Sequence, residues 1–109
     1  MTTMIARVWR GVVRREDAGV YADYIRETGF TAYGETPGNR GAWLLQRDTE
    51  ERTEFVTYSL WDSLEAIRGF AGDDIETAVY YPDDDRYLVE RDEKVSHFEV
   101  ADQIRPPGR

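Results

Sequence analysis

The only histidine of the chain, His97, lies in the stretch DEKVSHFEV, within a segment whose side chains alternate like those of a β-strand. Its imidazole is the only side chain in this sequence whose ordinary pKa is close to neutrality, so it is the natural candidate for a general base or a hydrogen-bond acceptor. A histidine in a strand of a small domain often only satisfies its polar neighbours. The catalytic and the structural interpretation of His97 both stay open at this point.

Two arginines, Arg7 and Arg10, lie on opposite phases of the segment MIARVWRGVV, so only one of them can face a buried pocket. Arg7 shares its phase with Trp9. A guanidinium beside an indole can hold a phenolate or enolate by charge-assisted hydrogen bonds while the ring stacks on the substrate. An Arg–Glu pair that joins two subunits explains Arg7 equally well.

Aromatic side chains are abundant for so hydrophilic a sequence, with three Trp, seven Tyr and four Phe. Large flat apolar groups of this kind suit a pocket or an interface. Trp43 and Tyr58 are core or interface residues in the simplest interpretation and pocket residues in the functional one. The hydroxyl of Tyr80, just before Pro82, can orient a substrate oxygen or relay a proton. The candidate substrate-binding residues are therefore Trp9, Trp43, Tyr58 and Tyr80.

Composition excludes several classes of function. With 14 basic and 22 acidic residues the net charge is −8, which argues against nucleic acid or an anionic membrane as a partner. The absence of cysteine excludes disulfides, thiolate nucleophiles and cysteine-ligated metals. The acidic runs 73–74 and 83–85 lack the spacing of a calcium loop and suit helix starts, so we predict no metal. The sequence has no signal peptide and no bilayer-length apolar run, so we expect a cytoplasmic protein.

The elements that must position these residues follow from apolar spacing and from helix stop signals. Asp62 with Glu65 predicts a helix that ends at Gly72, and Asp73 starts a second short helix that Pro82 stops. The remaining predicted elements are a strand over 4–13, a helix over 16–33, a hairpin of strands 40–48 and 52–61, and a last strand over 94–100.

This order, βαββαβ, is that of an α+β ferredoxin-like domain, a four-stranded antiparallel sheet with both helices on one face. We predict one domain over residues 1–101 and a flexible tail over 102–109. Both phases of the hairpin strands carry large apolar groups, so the sheet face without helices also needs a cover. A second copy of the sheet is the simplest cover, and we predict a homodimer through the open sheet face.

The chain resembles the antibiotic biosynthesis monooxygenase family of the dimeric α/β-barrel superfamily. The resemblance spans nearly the whole chain and lies in the segments MIARVWRG, YGETPGNRGAWLLQR, FVTYSLWDSLEAIRGFAGDD and HFEV. It implies small oxygenases that use O₂ without metal, flavin or haem on electron-rich phenols, hydroquinones or anthrones. It also implies a pocket between helices and sheet, close to the dimer interface.

The same resemblance includes a haem-degrading branch, which uses an Asn on the first strand, a Trp on the second helix and a His on the next helix. By position these correspond to Arg7 or Trp9, Phe70 and Tyr80, so none of the three residue types is matched. Tyrosine can ligate haem iron, and haem binding is therefore the third hypothesis. The correspondence adds Phe70 to the candidate pocket residues.

The leading hypothesis from the sequence is a cofactor-independent monooxygenase for a small aromatic substrate. In it His97 is the base or acceptor and Arg7 steadies the developing anion. The alternative is a homodimer of the same fold that binds a small molecule without catalysis or serves only as a scaffold.

Overall fold

A computed structural model describes residues 3–104 and 107. The central strand, β1 (Ile5–Arg14), pairs antiparallel with β3 (Arg52–Trp61), which in turn pairs antiparallel with β2 (Asn39–Thr49) through a tight two-residue turn. The two short strands β4 (Leu88–Arg91) and β5 (Ser96–Glu99) both lie on the other edge of β1. The sheet order β2-β3-β1-β4, with β5 also on β1, confirms the predicted α+β ferredoxin-like arrangement.

The last edge of the sheet differs from the single strand that the sequence predicts. β4 pairs with the second half of β1 and β5 with its first half, so one edge strand is interrupted at residues 92–95. At the interruption Thr77 and Lys94 form an isolated bridge, and the chain around Thr77 continues the pairing outward. The sheet therefore has five strands instead of four.

The first predicted helix is a continuous helical segment with a defect in its middle. It consists of a 3₁₀ turn (Arg15–Asp17), α1 (Ala18–Ile25), a π-helical turn (Arg26–Phe30) and α2 (Thr31–Glu35). After the hairpin, α3 (Leu64–Ala71) begins at Ser63, whose side chain accepts a hydrogen bond from the Ala66 amide, one residue later than the predicted cap. Gly72, at φ 82°, ends α3 as predicted.

The predicted second short helix between Asp73 and Pro82 is wrong. Residues 72–83 contain no helix, and the one helix between α3 and β4 is a single turn, α4 (Asp84–Tyr87). The backbone near Thr77 bonds instead to residues 93–95, through Ala78 N to Glu93 O and Val95 N to Glu76 O. Tertiary pairing takes the backbone groups that a helix would have used, and local capping signals are too weak to prevent it.

The two sheet faces have different covers. Side chains at odd positions of β1 and β3, including Ile5, Trp9, Phe55 and Trp61, are buried against α1, α2 and α3. The opposite face carries no helix. On this face Ala6, Val12 and Leu60 are buried, whereas Trp43, Leu45 and Phe98 are exposed.

No helix in residues 3–104 is both long enough and apolar enough to cross a membrane. Of the predicted flexible tail, residues 102–104 have no regular secondary structure, while residues 105, 106, 108 and 109 lie outside the described part of the chain. The flexibility of the tail stays a prediction.

Candidate active site

A cavity lies between the helical segment and the sheet. Its sheet side is formed by Arg7, Trp9 and Thr57, and most of the remaining wall comes from the helical segment, from Phe70 of α3 and from residues 79–84. The cavity volume is about 50 Å³. This is enough for a few water molecules and less than a two-ring compound needs. The remaining residues of its wall are Tyr21, Ile25, Thr28, Gly29, Phe30, Tyr33, Phe70, Val79, Tyr80, Tyr81, Asp84 and Val95.

Trp9 is fixed in the cavity wall by a glycine and a tyrosine. A Cβ on Gly11 would lie 2.3 Å from the Trp9 ring, so only glycine lets the indole lie along the strand. The indole Nε1 donates to the Tyr80 hydroxyl at 3.0 Å, and that hydroxyl donates to the carbonyl of Asp92. Burial raises the pKa of Tyr80 above its ordinary value, so its phenol keeps its proton.

The π-helical turn brings three cavity residues to the wall: Thr28, Gly29 and Phe30. A π turn widens the helix by one residue and is frequent at functional sites. The Thr28 hydroxyl donates to the Tyr24 carbonyl at 2.7 Å and helps to satisfy the disturbed backbone. The defect thus lies where the helical segment covers the cavity.

Arg7 is a buried cation that has no carboxylate partner among the described residues. Its residue is only 3 % exposed, and its guanidinium donates to the backbone carbonyls of Ile75 and, at 3.4 Å, Thr77. No side-chain carboxylate within residues 3–104 lies within 4 Å of it, although ten such ion pairs occur elsewhere. Burial lowers the pKa of Arg7, yet a guanidinium stays charged at neutral pH. Arg7 therefore gives the cavity wall a positive charge whose direct hydrogen-bond partners are all neutral groups.

His97 lies behind Arg7, on the neighbouring strand. The two residues are directly paired between β1 and β5, and Arg7 Nη1 is 2.9 Å from His97 Nε2. Because a guanidinium can only donate, Nε2 must accept, which makes the imidazole neutral with its proton on Nδ1. Burial and then the charge of Arg7 lower the pKa of His97, and Glu76 opposes them. The lone pair of Nε2, which a general base would need, already accepts a hydrogen bond from Arg7.

This pairing predicts how stability depends on pH. The folded protein takes up a proton at His97 only below the ordinary pKa of 6.5, so the unfolded chain binds more protons in the window beneath 6.5. Stability is therefore fully present above pH 6.5 and falls as the pH drops through that window. Urea unfolding across this range should show the loss in the parent and a smaller loss in His97→Gln, whose neutral amide can still accept from Arg7. If the free energy of unfolding depends on pH in the same way in both proteins, this contribution of His97 is contradicted.

Asp84 is a second buried charge in the same cavity. It is 5 % exposed, and its Oδ1 accepts from the Tyr21 hydroxyl at 2.7 Å while its Oδ2 accepts from the Tyr81 amide at 2.6 Å. No lysine, arginine or histidine side chain of the described residues lies within 4 Å of it. Burial, followed by the bond to Asp84, raises the pKa of Tyr21 above its ordinary value, which keeps Tyr21 a donor.

The structure brings four of the seven predicted site residues to the cavity: Arg7, Trp9, Phe70 and Tyr80. His97 contacts the cavity only through Arg7. Trp43 and Tyr58, which pack edge to face at 5.7 Å, lie on the opposite sheet face and are not brought to the cavity.

Sequence analysis missed Tyr21, Tyr33 and Asp84 as cavity residues. Tyr21 is visible in the sequence only as an apolar position of the first helix. Asp84 lies in an acidic run that is also explained by the start of a helix. Neither the run nor its spacing distinguishes the one buried carboxylate, Asp84, from its exposed neighbours Asp83 and Asp85.

A metal is not indicated by the arrangement of ligands. Among the described residues, no group of three or more His, Cys, Asp or Glu side chains is placed to hold a metal ion. The acidic run at Asp73 and Asp74 is exposed, and Asp74 accepts a hydrogen bond from the hydroxyl of Thr77.

Comparisons with known proteins identify the fold. The sequence matches no protein-family model and none of the curated proteins. Among solved structures, it is similar to a candidate antibiotic biosynthesis monooxygenase from Bacillus cereus, with 14% identity over 95% of this chain and 99% of that chain and a TM-score of 0.69.

Two further similar structures are of proteins named for an activity. SnoaB, a cofactor-independent oxygenase from Streptomyces nogalater, is 16% identical over 96% of this chain and 98% of that chain, with a TM-score of 0.58. The haem degrader MhuD from Mycobacterium tuberculosis, solved with two haems in its active site, is 19% identical over 92% of this chain and 98% of that chain, with a TM-score of 0.56. The chain therefore has the fold of the structures named as antibiotic biosynthesis monooxygenases, as the resemblance in its sequence predicted.

Proposed function

We propose that this protein is a cofactor-independent monooxygenase that oxidises an electron-rich phenol, hydroquinone or anthrone with O₂. The observation that carries the proposal is Arg7, a buried guanidinium in the wall of an aromatic cavity, for which the described part of the chain provides no carboxylate partner. A charge in that position is costly unless an anion uses it. The likeness in fold to an oxygenase that needs no cofactor supports the same function.

Oxidation by O₂ without a cofactor requires the anion of the substrate, because the substrate and not the protein supplies the electrons. An electron-rich phenolate or enolate can pass an electron to O₂, and recombination then forms a carbon–oxygen bond. When an activated CH₂ becomes C=O, one oxygen atom stays on the carbon and the other leaves with both hydrogens as water. When a hydroquinone becomes a hydroxyquinone, a ring C–H becomes C–OH, and the other oxygen atom leaves as water with the two hydrogens of the hydroquinone hydroxyls. The substrate supplies all the electrons, so no external reductant is required.

In this proposal Arg7 is the residue that stabilises the substrate anion. Its guanidinium offers donors in a dry site, where a charge-assisted bond is strong. Trp9, Phe70 and Tyr80 form apolar and aromatic walls for the ring, and Phe70 already lies against Arg7, 5.7 Å from the guanidinium carbon to the ring centre. His97 is a positioning residue that holds Arg7 by accepting from Nη1.

Entry of a substrate requires the cavity wall to open. The segments that border it are the π turn and residues 72–83, neither of which is regular α-helix or strand. Both segments have fewer regular backbone hydrogen bonds than the sheet on the other side of the cavity. They are therefore the parts of the wall whose local opening needs the least free energy. We infer that a ring enters between these two segments.

The experiment that tests the proposal is oxygen uptake by metal-stripped protein with a panel of anthrones and hydroquinones. The parent should accelerate uptake with at least one compound over the reaction without protein. His97→Gln should stay within about threefold of the parent and His97→Ala should fall by about tenfold, because only Gln can still accept from Arg7.

Two other results of this experiment have clear meanings. A loss of about 10² or more in His97→Gln, with the protein folded, would make His97 the acid–base group itself. No acceleration by the parent across the panel would contradict the monooxygenase function.

Narrowing the entrance gives a second prediction. A Cβ on Gly29 would lie 4.0 Å from the Tyr81 ring, so a larger side chain there extends between the π turn and the opposite wall. We expect Gly29→Leu to lower kcat/KM by about tenfold or more while the protein stays folded. Gly19→Leu is the matched control, since nothing lies within 4 Å of its Cβ position on α1. Equal activity of the two variants would place the entrance elsewhere.

We also propose that the protein is a homodimer through its open sheet face. Trp43, Leu45 and Phe98 on that face are 47 %, 51 % and 58 % exposed. Val56 and Tyr58 lie between them on the same face and are half-buried. An apolar patch of this kind is unusual on a monomer, and a second copy of the sheet is apolar in the same positions.

Haem fits these residues poorly. An aromatic substrate already requires the cavity wall to open, and a porphyrin requires a much larger opening. The hydroxyl of Tyr80, the residue at the expected ligand position, accepts from Trp9 and donates to Asp92, so it is not free to bind iron. We therefore assign no step to a haem.

The small cavity favours one alternative, a homodimeric scaffold whose pocket is filled by side chains. Under it, neither hydroquinones nor anthrones would bind, and oxygen uptake would match the reaction without protein. Tight binding without oxygen uptake would instead indicate a small-molecule-binding module.

A further inference from the structure

We propose that Asp84 is a specificity-determining residue that selects substrates with a second hydroxyl group, in addition to the oxygen held by Arg7. The inference rests on the proposed function, because it concerns the substrate of the same cavity. It narrows the substrate class to aromatic rings with two oxygen substituents, of which at least one is a free hydroxyl.

The carboxylate of Asp84 has acceptor capacity left over. Its two oxygens provide about four lone-pair positions. Only two bonds to it occur among the described residues, one from the Tyr21 hydroxyl and one from the Tyr81 amide. Because Asp84 also lines the cavity, a ligand hydroxyl there can donate to it.

A purely structural role does not explain why this residue is charged. The hydroxyl of Tyr21 needs an acceptor, and a neutral amide or a backbone carbonyl would serve at a lower desolvation cost. A buried carboxylate with no cation within 4 Å among the described residues is expensive. A few polar groups that converge on a mainly apolar cavity are typical of ligand-binding sites.

Arg7 and Asp84 are complementary in what they offer a ligand. Arg7 can only donate and Asp84, when ionised, can only accept. Both line one cavity whose other walls are mainly aromatic and aliphatic, such as Trp9, Ile25 and Phe70. A ring with an anionic oxygen at one end and a hydroxyl at the other satisfies both, whereas a simple phenol leaves Asp84 without a donor.

The test is anaerobic binding, followed by quenching of tryptophan fluorescence, of three ring compounds that differ at one position. Hydroquinone has the second hydroxyl, 4-methoxyphenol keeps the oxygen without its proton, and phenol lacks both. We expect the parent to bind hydroquinone about tenfold or more tightly than either of the others, the usual effect of a hydrogen bond to a charged group.

Two variants separate selectivity from folding. Asp84→Asn has one acceptor oxygen for the two protein donors, so it should lose the preference to within about threefold. Tyr21→Phe also breaks the Tyr21–Asp84 bond but leaves the carboxylate, so it should retain the preference. A structural pair predicts that both variants lose thermal stability and neither changes the preference.

The outcomes are distinct from those of the function test. If the parent consumes oxygen with panel compounds but binds hydroquinone no better than 4-methoxyphenol and phenol, the role of Asp84 is overturned and the monooxygenase stands. Retention of the preference in folded Asp84→Asn overturns it as well. If Asp84→Asn does not fold, the parent and Tyr21→Phe are compared with the three compounds. A preference for hydroquinone in both supports the role of Asp84, and its absence in the parent overturns that role. Absence of both binding and oxygen uptake overturns the proposed function together with this inference.

Discussion

Arg7→Met is expected to lower the rate of oxygen uptake by about 10²–10³-fold, the usual cost of removing one donor from a site that stabilises a developing anion. Methionine keeps much of the length and apolar bulk of the side chain, so the packing against Phe70 is largely preserved. What it removes is the one arginine or lysine charge among the residues that line the cavity. The measurement is oxygen uptake with the best compound of the panel.

Arg7→Lys separates the charge from the geometry. Lysine keeps the positive charge but cannot reproduce the planar donors that contact Ile75, Thr77 and His97 together. We expect an intermediate loss, with substrate binding affected less than turnover. The comparison therefore shows how much of the effect comes from the charge alone.

Arg14→Met is the matched control for Arg7→Met. Arg14 ends the same strand, its side chain is 55 % exposed, and its contact with Asp17 is a surface ion pair of little energetic value. Its oxygen uptake should equal that of the parent. If folded Arg7→Met keeps more than a third of the parent rate, anion stabilisation by Arg7 is refuted.

Trp43→Asp and Leu45→Asp are each expected to raise the dimer dissociation constant by about 100-fold or more. Both side chains lie about half exposed on the open sheet face, next to Tyr58 and Val56 on the neighbouring strand. A carboxylate buried there without a partner loses its hydration, and the loss at a central aromatic residue is typical of an interface hot spot. Sedimentation should find twice the chain mass of 12.7 kDa for the parent and 12.7 kDa for the variants.

Val20→Asp is the control for the open face. Val20 is 56 % exposed, as much as Trp43 and Leu45, but it lies on α1, on the other side of the sheet. The same change of charge there should leave the mass at twice that of the chain. A monomeric parent at micromolar concentration would contradict the proposed interface, and so would dimeric Trp43→Asp and Leu45→Asp.

The sequence determined the elements whose signals are local. Alternation of apolar side chains predicted β1 and the hairpin, and the order of elements predicted the ferredoxin-like sheet, which the structure confirms. It also predicted two apolar sheet faces, because in a strand the phase of each side chain is fixed by its position along the chain. Arg7 and Trp9 were predicted to share a face for the same reason, and both line the cavity.

Only the tertiary structure decided which side chains face the cavity and which backbone segments pair with each other. Trp43 and Tyr58 are separated from the cavity because the phase of β2 and β3 relative to the helices depends on packing, which a single sequence does not display. Residues 72–83 are not helical because pairing with residues 93–95 and the donors of Arg7 occupy their backbone groups.

The two polar clusters of the cavity, around Arg7 and around Asp84, come from contacts between residues far apart in sequence. Arg7 meets His97 across 90 positions and Tyr21 meets Asp84 across 63. The burial of these side chains and their hydrogen-bond partners depend on tertiary contacts and cannot be read from the residue types. The sequence could therefore name His97 as the one titratable imidazole, but the fold alone decided that its lone pair holds an arginine and that Asp84 is the buried acid.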